Sequence, residues 1–183
     1  MGGNTIETVE EMRLLGLTVT NGLKWHSNTE VMVKKGYKRL WMIQRLKAHG
    51  ADLNDLKDVF IKQIRSILEF GVPVLNCSLT QEDNMDIERV QKAFLHLALG
   101  DSYRDYSSAL KMCNLDTLEN RRTILCTNFA QRSAKHPKHK HWFEPNQNAP
   151  GTQSLKPKYK LSLNRLARIK NSPIPYLNSL LNS

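Results

Sequence analysis

Apolar and polar positions alternate along the first 25 residues, which is the pattern of short β-strands. Asn21 and Gly22 form a dipeptide that favours a two-residue hairpin turn. Gly16, inside the earlier apolar run, indicates a bulge or a close approach of the backbone. We therefore expect a small N-terminal β-hairpin and assign residues 1–27 to it.

From Asn28 onward the apolar positions recur at the 3.6-residue spacing of an amphipathic helix. This first helix is expected to continue to His49, because Gly50 stops it. One of its faces carries the large apolar residues Val33, Tyr37, Leu40 and Trp41. For Trp41 the ordinary interpretation is packing in the core, and stacking on unpaired bases is the alternative.

Two further helices begin at capping residues. The second is predicted to start after Asp52 and to end at Gly71, and the third to start after Thr80 and to end at Gly100. Between them Pro73 favours a short loop that runs through the residues near Cys77. A shorter helix is expected around residues 103–112.

A longer helix is expected to open at Asp116 and to stop at His136-Pro137. Beyond it the chain is rich in Lys, Arg, Pro, Asn and Gln and has little apolar content from which to build a core. We place a boundary near residue 145, with a helical domain over residues 28–145 and a basic, largely disordered tail over 146–183. Within the tail we expect a short helix at 163–170 and local docking of the apolar residues at 174–181. The predicted fold class is mainly α.

The charge balance favours a polyanionic partner. Lysine and arginine number 27 against 17 aspartates and glutamates, which gives a net charge of +10 and a pI near 9.7. Nucleic acid, an anionic membrane surface and an acidic protein all fit this excess. The sequence has no apolar run long enough for a membrane span and no secretory signal pattern, so we expect an intracellular protein, in the cytoplasm or the nucleus, with no membrane partner.

Basic residues on the first two helices are the candidate nucleic-acid contacts. Charges four residues apart form a row on a helix, and such a row can follow a phosphate backbone. A solvated helix face is an equally good interpretation of the same pattern. The candidates are Lys34, Lys35, Lys38, Arg39 and Arg45 on the first helix and Lys62 and Arg65 on the second.

The sequence offers no set of residues for catalysis, for a metal or for another cofactor. The closely placed carboxylates, Glu10-Glu11 and Glu82-Asp83-Asp86, are explained by an exposed strand and a helix cap. A glycine-rich phosphate loop and a nucleophile with its base are not recognisable. The three cysteines are widely spaced, which favours buried reduced thiols. His136, His139 and His141 alternate with lysine and proline, so a basic surface turn is a better interpretation than a zinc site.

Several stretches, in the same order, resemble the jockey-like reverse transcriptases of non-LTR retrotransposons. The succession Leu-Gly-Leu at residues 15–17, Leu-Lys-Trp at 23–25 and a helix ending in Arg-Leu at 45–46 is similar to theirs. So are Leu-Glu-Phe at 68–70, Ile-Glu-Arg-Val-Gln-Lys at 87–92 and Leu-Asp-Thr-Leu-Glu-Asn-Arg-Arg at 115–122. The resemblance covers about residues 7–142, and it departs from the family at Leu14, Phe70 and Asn76.

The resemblance implies a function in holding nucleic acid. The hairpin would correspond to the primer grip of the palm, with Leu15 and Gly16 near the primer end, and the helices to the thumb that holds the template–primer duplex. The family's Tyr/Phe-x-Asp-Asp motif is absent from the sequence, so we expect no RNA-directed DNA polymerase activity from this chain alone. The alternatives are a self-associating or protein-binding helical module, with Met12, Leu14 and Trp25 exposed, and a nonfunctional relic.

Overall fold

A computed structural model of the 183-residue chain describes residues 9–146, 158–159 and 172–182. The described residues are mainly helical with a two-stranded N-terminal hairpin, which confirms the predicted fold class. The strands are β1 (Glu11–Leu14) and β2 (Leu17–Thr20), and the helices are α1 (His26–Ala48), α2 (Leu53–Val59), α3 (Ser66–Leu68), α4 (Val72–Leu75), α5 (Gln81–Leu99), α6 (Tyr106–Met112), α7 (Leu118–Lys135) and α8 (Pro173–Asn182).

The hairpin turns at a different place from the one predicted. β1 pairs with β2 in antiparallel register, with Leu14 opposite Leu17, so Leu15 and Gly16 form the two-residue turn. Both have positive φ, +48° and +87°, as the turns that match the twist of a hairpin require. The hairpin turn was therefore expected at the wrong place, although Asn21 and Gly22 do form a turn, closed by the hydrogen bond from Leu23 N to Thr20 O at 2.9 Å. Of the two alternatives at Gly16, the bulge was wrong and the close approach is confirmed, since an added Cβ would lie 3.3 Å from the Phe70 ring.

Helix α1 buries Leu40 of the predicted apolar face, but the rest of its buried row differs from the prediction. Its buried apolar positions include Met32, Leu40 and Ile43, whereas Tyr37 and Trp41 are exposed. Between Met32 and Leu40 the buried row passes through Gly36, where an added Cβ would lie 3.1 Å from Val90 Cγ1 of α5. The pattern misled because glycine contributes no apolar side chain to it, although its small size is what lets the two helices approach closely.

The predicted second helix exists as a continuous run through α2, a π-helical segment (Phe60–Arg65) and α3. As expected, Asp52 caps it, since its Oδ1 accepts a hydrogen bond from Asp55 N at 2.8 Å. Phe60 lies inside the molecule and stacks on Phe94 of α5 with ring centroids 4.1 Å apart. This stacked pair lies in the main hydrophobic core, which α1, α2, α5 and α6 enclose.

The segment between α3 and α5 is helical and not the predicted loop. α4 carries Pro73 in its first turn, where the missing N–H of proline costs nothing, and a 3₁₀ turn (Asn76–Ser78) follows. α5 then begins with the predicted capping box, in which Thr80 and Asp83 bond each other's backbone N–H groups.

The N-cap of helix α7 lies one residue later than expected, at Thr117 and not at Asp116. Thr117 Oγ1 accepts a hydrogen bond from Asn120 N at 3.2 Å. The helix ends at Lys135, before Pro137, as predicted. No helix in the described ranges has both the length and the apolar character needed to cross a membrane.

Part of the predicted disordered tail is a docked helix. α8 packs against α7 and α4 and completes a second, smaller core. Its apolar residues dock as the sequence led us to expect, but as a helix of ten residues. The helix predicted at 163–170 lies outside the described residues. The buried members of the second core are Val72, Cys126, Ala130, Phe143 and Leu177.

Candidate nucleic-acid interface

The exposed face of α1 carries a straight row of basic and aromatic residues. Lys34, Lys38, Trp41 and Arg45 are spaced by four, three and four residues, so they fall on one line along the helix. The line lies opposite the buried residues of α1, and all four side chains are exposed. Trp41 is 57% exposed, so the expectation that it packs in the core was wrong. We call these four residues the α1 row.

The cations of the α1 row have little competition from neighbouring acids. Lys34 Nζ lies 3.2 Å from Glu30 Oε2, and both side chains are more than half exposed, so this pair stabilises the fold very little. Among the described residues no ion pair involves Lys38 or Arg45. Two of the three cations are therefore free to meet an anionic ligand without breaking an internal contact.

Lys35 and Arg39 lie on the flank of α1 that faces the π-helical segment. Arg39 Nη1 donates a hydrogen bond to the backbone oxygen of Gln63 at 2.6 Å, and its side chain is half-buried. Lys35 is exposed one turn before it. Arg39 thus ties α1 to its neighbour and has fewer donors left for a ligand than the residues of the α1 row.

The two candidates on the second helix differ from each other. Lys62 is exposed and pairs with Asp58 at 2.8 Å, and this bond holds the pKa of the Asp58 carboxyl below its usual value. The side chain of Arg65 is only 13% exposed and lies 3.6 Å from Glu69 Oε1. Burial, and then the nearby Arg121 guanidinium, lower the pKa of Arg65. The structure therefore places Arg65 apart from the exposed cations.

The tip of the hairpin is apolar and strongly exposed. Leu15 is 88% exposed although it has a left-handed backbone conformation that leucine rarely adopts. Gly16 packs under it, where an added Cβ would lie 3.3 Å from the ring of Phe70. The two residues predicted to be primer-grip-like thus form a turn that is held on the end of α3, with one side chain directed away from the body.

The strand β1 carries a further apolar surface. Met12 and Leu14 are each about half exposed, at 50% and 52%. Their cross-strand partners Val19 and Leu17 instead pack on a third apolar cluster. Trp25 belongs to that cluster and is buried, with Nε1 donating to Ser78 Oγ at 3.1 Å, so the expectation that it would be exposed was wrong.

The excess positive charge of the chain is carried by its C-terminal third and not by the part that contains the α1 row. Residues 1–119 contain 15 of the 27 lysines and arginines and 16 of the 17 acids, a net charge of −1. Residues 120–183 contain the other 12 cations and the single acid Glu144, a net charge of +11. The α1 row is nevertheless locally basic, because α1 contains six lysines and arginines and only one acid, Glu30.

Sequence reasoning missed the role of the arginine pair in α7. Arg122 is 1% exposed; its Nε donates to Asn76 Oδ1 at 3.2 Å and its Nη2 to Asn84 Oδ1 at 2.5 Å. Burial lowers its pKa, and its Nη1 has no hydrogen-bond partner among the described residues. Arg121 bonds Glu69 Oε1 through Nε at 2.6 Å, which raises the pKa of Arg121. Only the positions of the acceptors, distant in sequence, show that these arginines are structural.

The histidine-rich turn after α7 forms a stack of rings. His136 stacks on His139 with centroids 4.7 Å apart, and His139 stacks on Trp142 at 4.6 Å. His141 meets the edge of Trp142. The described residues contain no group of three or more histidines, cysteines and acids that could hold a metal ion. The i, i+3 spacing of the three stacked residues is the signal by which the sequence could have shown this arrangement.

The cysteines are free thiols. Cys113 and Cys126 are buried as expected, and Cys77 is half-buried. Burial raises the pKa of all three thiols, so none of them is activated as a nucleophile.

The stretches that carry the family resemblance meet in space. Glu69, in the stretch at 68–70, bonds Arg121 in the stretch at 115–122. Glu88, in the stretch at 87–92, accepts a hydrogen bond from the backbone N–H of Leu118 at 3.1 Å. These residues hold the helices together. No family model matches this chain, and neither a curated protein nor a solved structure does.

Proposed function

We propose that this chain binds a nucleic-acid duplex through its phosphates, without sequence preference and without polymerase activity of its own. The observation that carries the proposal is the α1 row, whose exposed cations form one line opposite the buried face of α1. In this proposal the chain is the primer-grip and thumb part of a non-LTR reverse transcriptase, as its motifs suggest.

The dimensions of the α1 row suit a sugar-phosphate backbone. At about 1.5 Å per residue, Lys34 and Arg45 are roughly 16 Å apart along the axis of α1. A duplex carries one phosphate charge for about every 1.7 Å of its axis, so three flexible cations over this length each reach a different phosphate. Contacts of this kind fix the position of a duplex but carry little information about its sequence.

The hairpin tip supports the same assignment. Leu15 is an apolar side chain at a position where asparagine or glycine would relieve the backbone. Strain of this kind is often retained where it presents a side chain to a ligand. In the proposed complex Leu15 contacts the sugar and base at the primer end, while the α1 row contacts phosphates further along the duplex.

The test is the salt dependence of duplex binding. A variant with Lys34→Gln, Lys38→Gln and Arg45→Gln keeps the helix and removes three cations. The slope of log affinity against log salt is negative, and we expect its magnitude to decrease by about 2 to 3 in this variant. The affinity is measured by fluorescence anisotropy with an RNA–DNA hybrid between about 50 and 200 mM salt.

A matched control removes three exposed cations from other elements. Lys92→Gln, Arg104→Gln and Lys111→Gln cause the same change in net charge but leave α1 intact. If the control variant loses as much affinity as the α1 variant, the binding follows net charge and the proposed interface is wrong. An affinity of the native chain that does not change with salt would remove the phosphate account altogether.

A second candidate function is self-association through the hairpin, and the exposure of Met12, Leu14 and Leu15 on neighbouring positions favours it. An apolar surface of this kind commonly marks a protein interface. We expect Met12→Gln with Leu14→Thr to shift any dimer toward monomer in sedimentation velocity at several concentrations. Ile124→Gln, at an exposed apolar position of α7, is the control. A concentration-independent monomer would contradict this candidate.

A further inference from the structure

We propose that the ring stack formed by His136, His139 and Trp142 is a second nucleic-acid site, one that binds an unpaired base of a single strand. The inference rests on the proposed function only in sharing its ligand class. It concerns a different element, a different form of nucleic acid and a different interaction, which is stacking on a base and not pairing with phosphates.

The stack has an anchored inner end and an open outer end. Trp142 is half-buried and packs on the second core, while His136 is exposed. The planes of His139 and Trp142 are inclined by 7°, and those of His136 and His139 by 27°. A flat ligand can therefore continue the stack on the solvent side. Aromatic side chains arranged in this way are how single-strand binding proteins hold successive bases.

Backbone hydrogen bonds fix the rings before any ligand arrives. The N–H of Lys138 donates to His136 Nδ1 at 3.2 Å, which sets the orientation of the outer ring. The N–H of Trp142 donates to the backbone oxygen of His139 at 2.9 Å, and Asn178 of α8 donates to the backbone oxygen of Trp142 at 3.3 Å. Because the rings are already ordered, stacking of a base costs little conformational entropy.

The chain segment that carries the stack is basic, and the acid nearest to it in sequence is Glu144, two residues after Trp142. The sequence contains no Asp or Glu from Asn120 to Phe143. Phosphates on either side of a stacked base would therefore meet basic side chains and no carboxylate between those two positions. The exposed cations on this stretch are Arg132, Lys135, Lys138 and Lys140.

The combination of features selects single-stranded nucleic acid among polyanions. An acidic peptide would pair with the lysines, but its carboxylate side chains have no flat face that would stack on the rings. In a duplex the bases are already stacked on each other and present their phosphates outward. An unpaired nucleotide brings a free π-face and a negative charge together, which matches the three rings and the lysines of this turn.

The experiment compares two single-stranded probes with the same phosphates. One is an oligothymidylate of about 20 nucleotides, and the other has the same length but lacks all its bases, so it cannot stack. With the native chain we expect the abasic probe to bind about 5-fold to 100-fold more weakly at equal salt.

Two variants of the outer ring separate stacking from charge and from metal binding. His136→Ala should weaken binding of the oligothymidylate about 5-fold or more. His136→Phe loses the bond from Lys138 N–H and cannot bind a proton or a metal, but its flat ring can still stack on His139, so it should retain most of the binding. Because His136 is exposed, neither change removes part of the core. A circular dichroism melt of both variants verifies that the fold is retained.

The outcomes decide between the sites. Equal affinity for the two probes, an unchanged affinity of His136→Ala, or equal binding of polyglutamate would each overturn the stacking proposal, while duplex binding through the α1 row would still stand. Retention of stacking in the variant that lacks the cations of the α1 row would show that the two sites are independent. Absence of binding to every nucleic-acid probe would overturn both proposals.

Discussion

Helices α1 and α7 both carry several arginines and lysines, but they use them in opposite ways. On α1 the cations Lys34, Lys38 and Arg45 face solvent. On α7 Arg122 is buried among side-chain oxygens and Arg121 is paired with Glu69, which also pairs with Arg65. The acceptors account for the difference, because a cation enters the interior only where neighbouring elements supply oxygen atoms for its N–H groups.

This difference matters for function. A cation that already has partners inside the protein is costly to redirect to a ligand, whereas an exposed lysine gains from meeting a phosphate. The comparison therefore predicts large effects on stability for Arg121 and Arg122 of α7 and their partners, and effects on binding alone for the cations of the α1 row.

The largest expected effect follows from truncating Arg122. Arg122→Ala leaves the side-chain oxygens of Asn76 and Asn84 without their donor and opens a cavity between α7 and α5, so we expect the free energy of unfolding to fall by about 3 kcal/mol. A urea titration monitored by circular dichroism measures this free energy. Arg132→Ala, at an exposed position of the same helix, should change stability by less than about 0.5 kcal/mol. Equal effects of the two variants would break the comparison.

A smaller effect is expected at the carboxylate that joins two arginines. Glu69→Gln removes the charge that Arg65 and Arg121 share at a mostly buried site, and we expect a loss of about 1 to 2 kcal/mol in urea titration. Glu10→Gln, on the surface, is the control. Glu69→Gln also tests Arg65 as a phosphate contact. If Arg65 binds a duplex, its release from Glu69 should strengthen duplex binding. An unchanged affinity would mean that Arg65 is a structural residue.

His26 is intermediate between the exposed and the buried cations, because its ring is exposed but bonds the buried carboxylate of Asp83. The hydrogen bond to Asp83 Oδ1, at 3.0 Å, is the main cause of its raised pKa, and the nearby Glu30 and Glu82 act in the same direction. Since the pKa is raised in the folded state, the stabilisation is complete below the ordinary value of 6.5 and is lost as the pH rises through the folded pKa.

We therefore expect the urea midpoint to fall as the pH rises above 6.5, and the variant His26→Gln to lack this fall. The opposite sign applies to Asp83. Burial opposes its ionisation, but hydrogen bonds from Thr80 and His26 outweigh burial and lower its pKa, so its stabilisation is present above 3.8 and is lost as the pH falls through the lowered pKa. A His26→Gln profile parallel to that of the native chain would contradict the assignment.

The smallest expected effect on stability is that of the α1 row. Replacing Lys34, Lys38 and Arg45 by glutamine should change the free energy of unfolding by less than about 0.5 kcal/mol per site, because these side chains are exposed and glutamine forms helix well. A thermal melt measures this change. A substantial loss would show that these cations support the fold, and the comparison with α7 would no longer hold.

Features set by neighbouring residues could be predicted from the sequence, and features set by distant residues could not. Asp52 and Thr80 cap their helices as expected, because a cap and the N–H group that it binds lie within three residues. The buried face of α1 was misjudged at Trp41, since the close approach of α5 at Gly36 decides which residues are inside. The local sequence carries no record of that approach.

The candidate site shows the same division. The exposed lysines of α1 could be named from their charge and helical phase, but the same criteria also selected Arg65, which is mostly buried. The hairpin turn was misplaced because Asn21-Gly22 is the better turn sequence, yet the packing of Leu17 on Gly71 holds the turn at Leu15 and Gly16. Tertiary contact thus outweighs local preference here.

The docking of α8 on α7 has a consequence for chemical labelling. Cys126 is covered by the second core to which Leu177 of α8 belongs, and burial raises the pKa of its thiol to about 11. A disulfide-exchange reagent attacks only the exposed thiolate, so this sulfur reacts only when α8 has swung away. The labelling rate of Cys126 therefore reports how often the last helix opens, without any substitution in the chain.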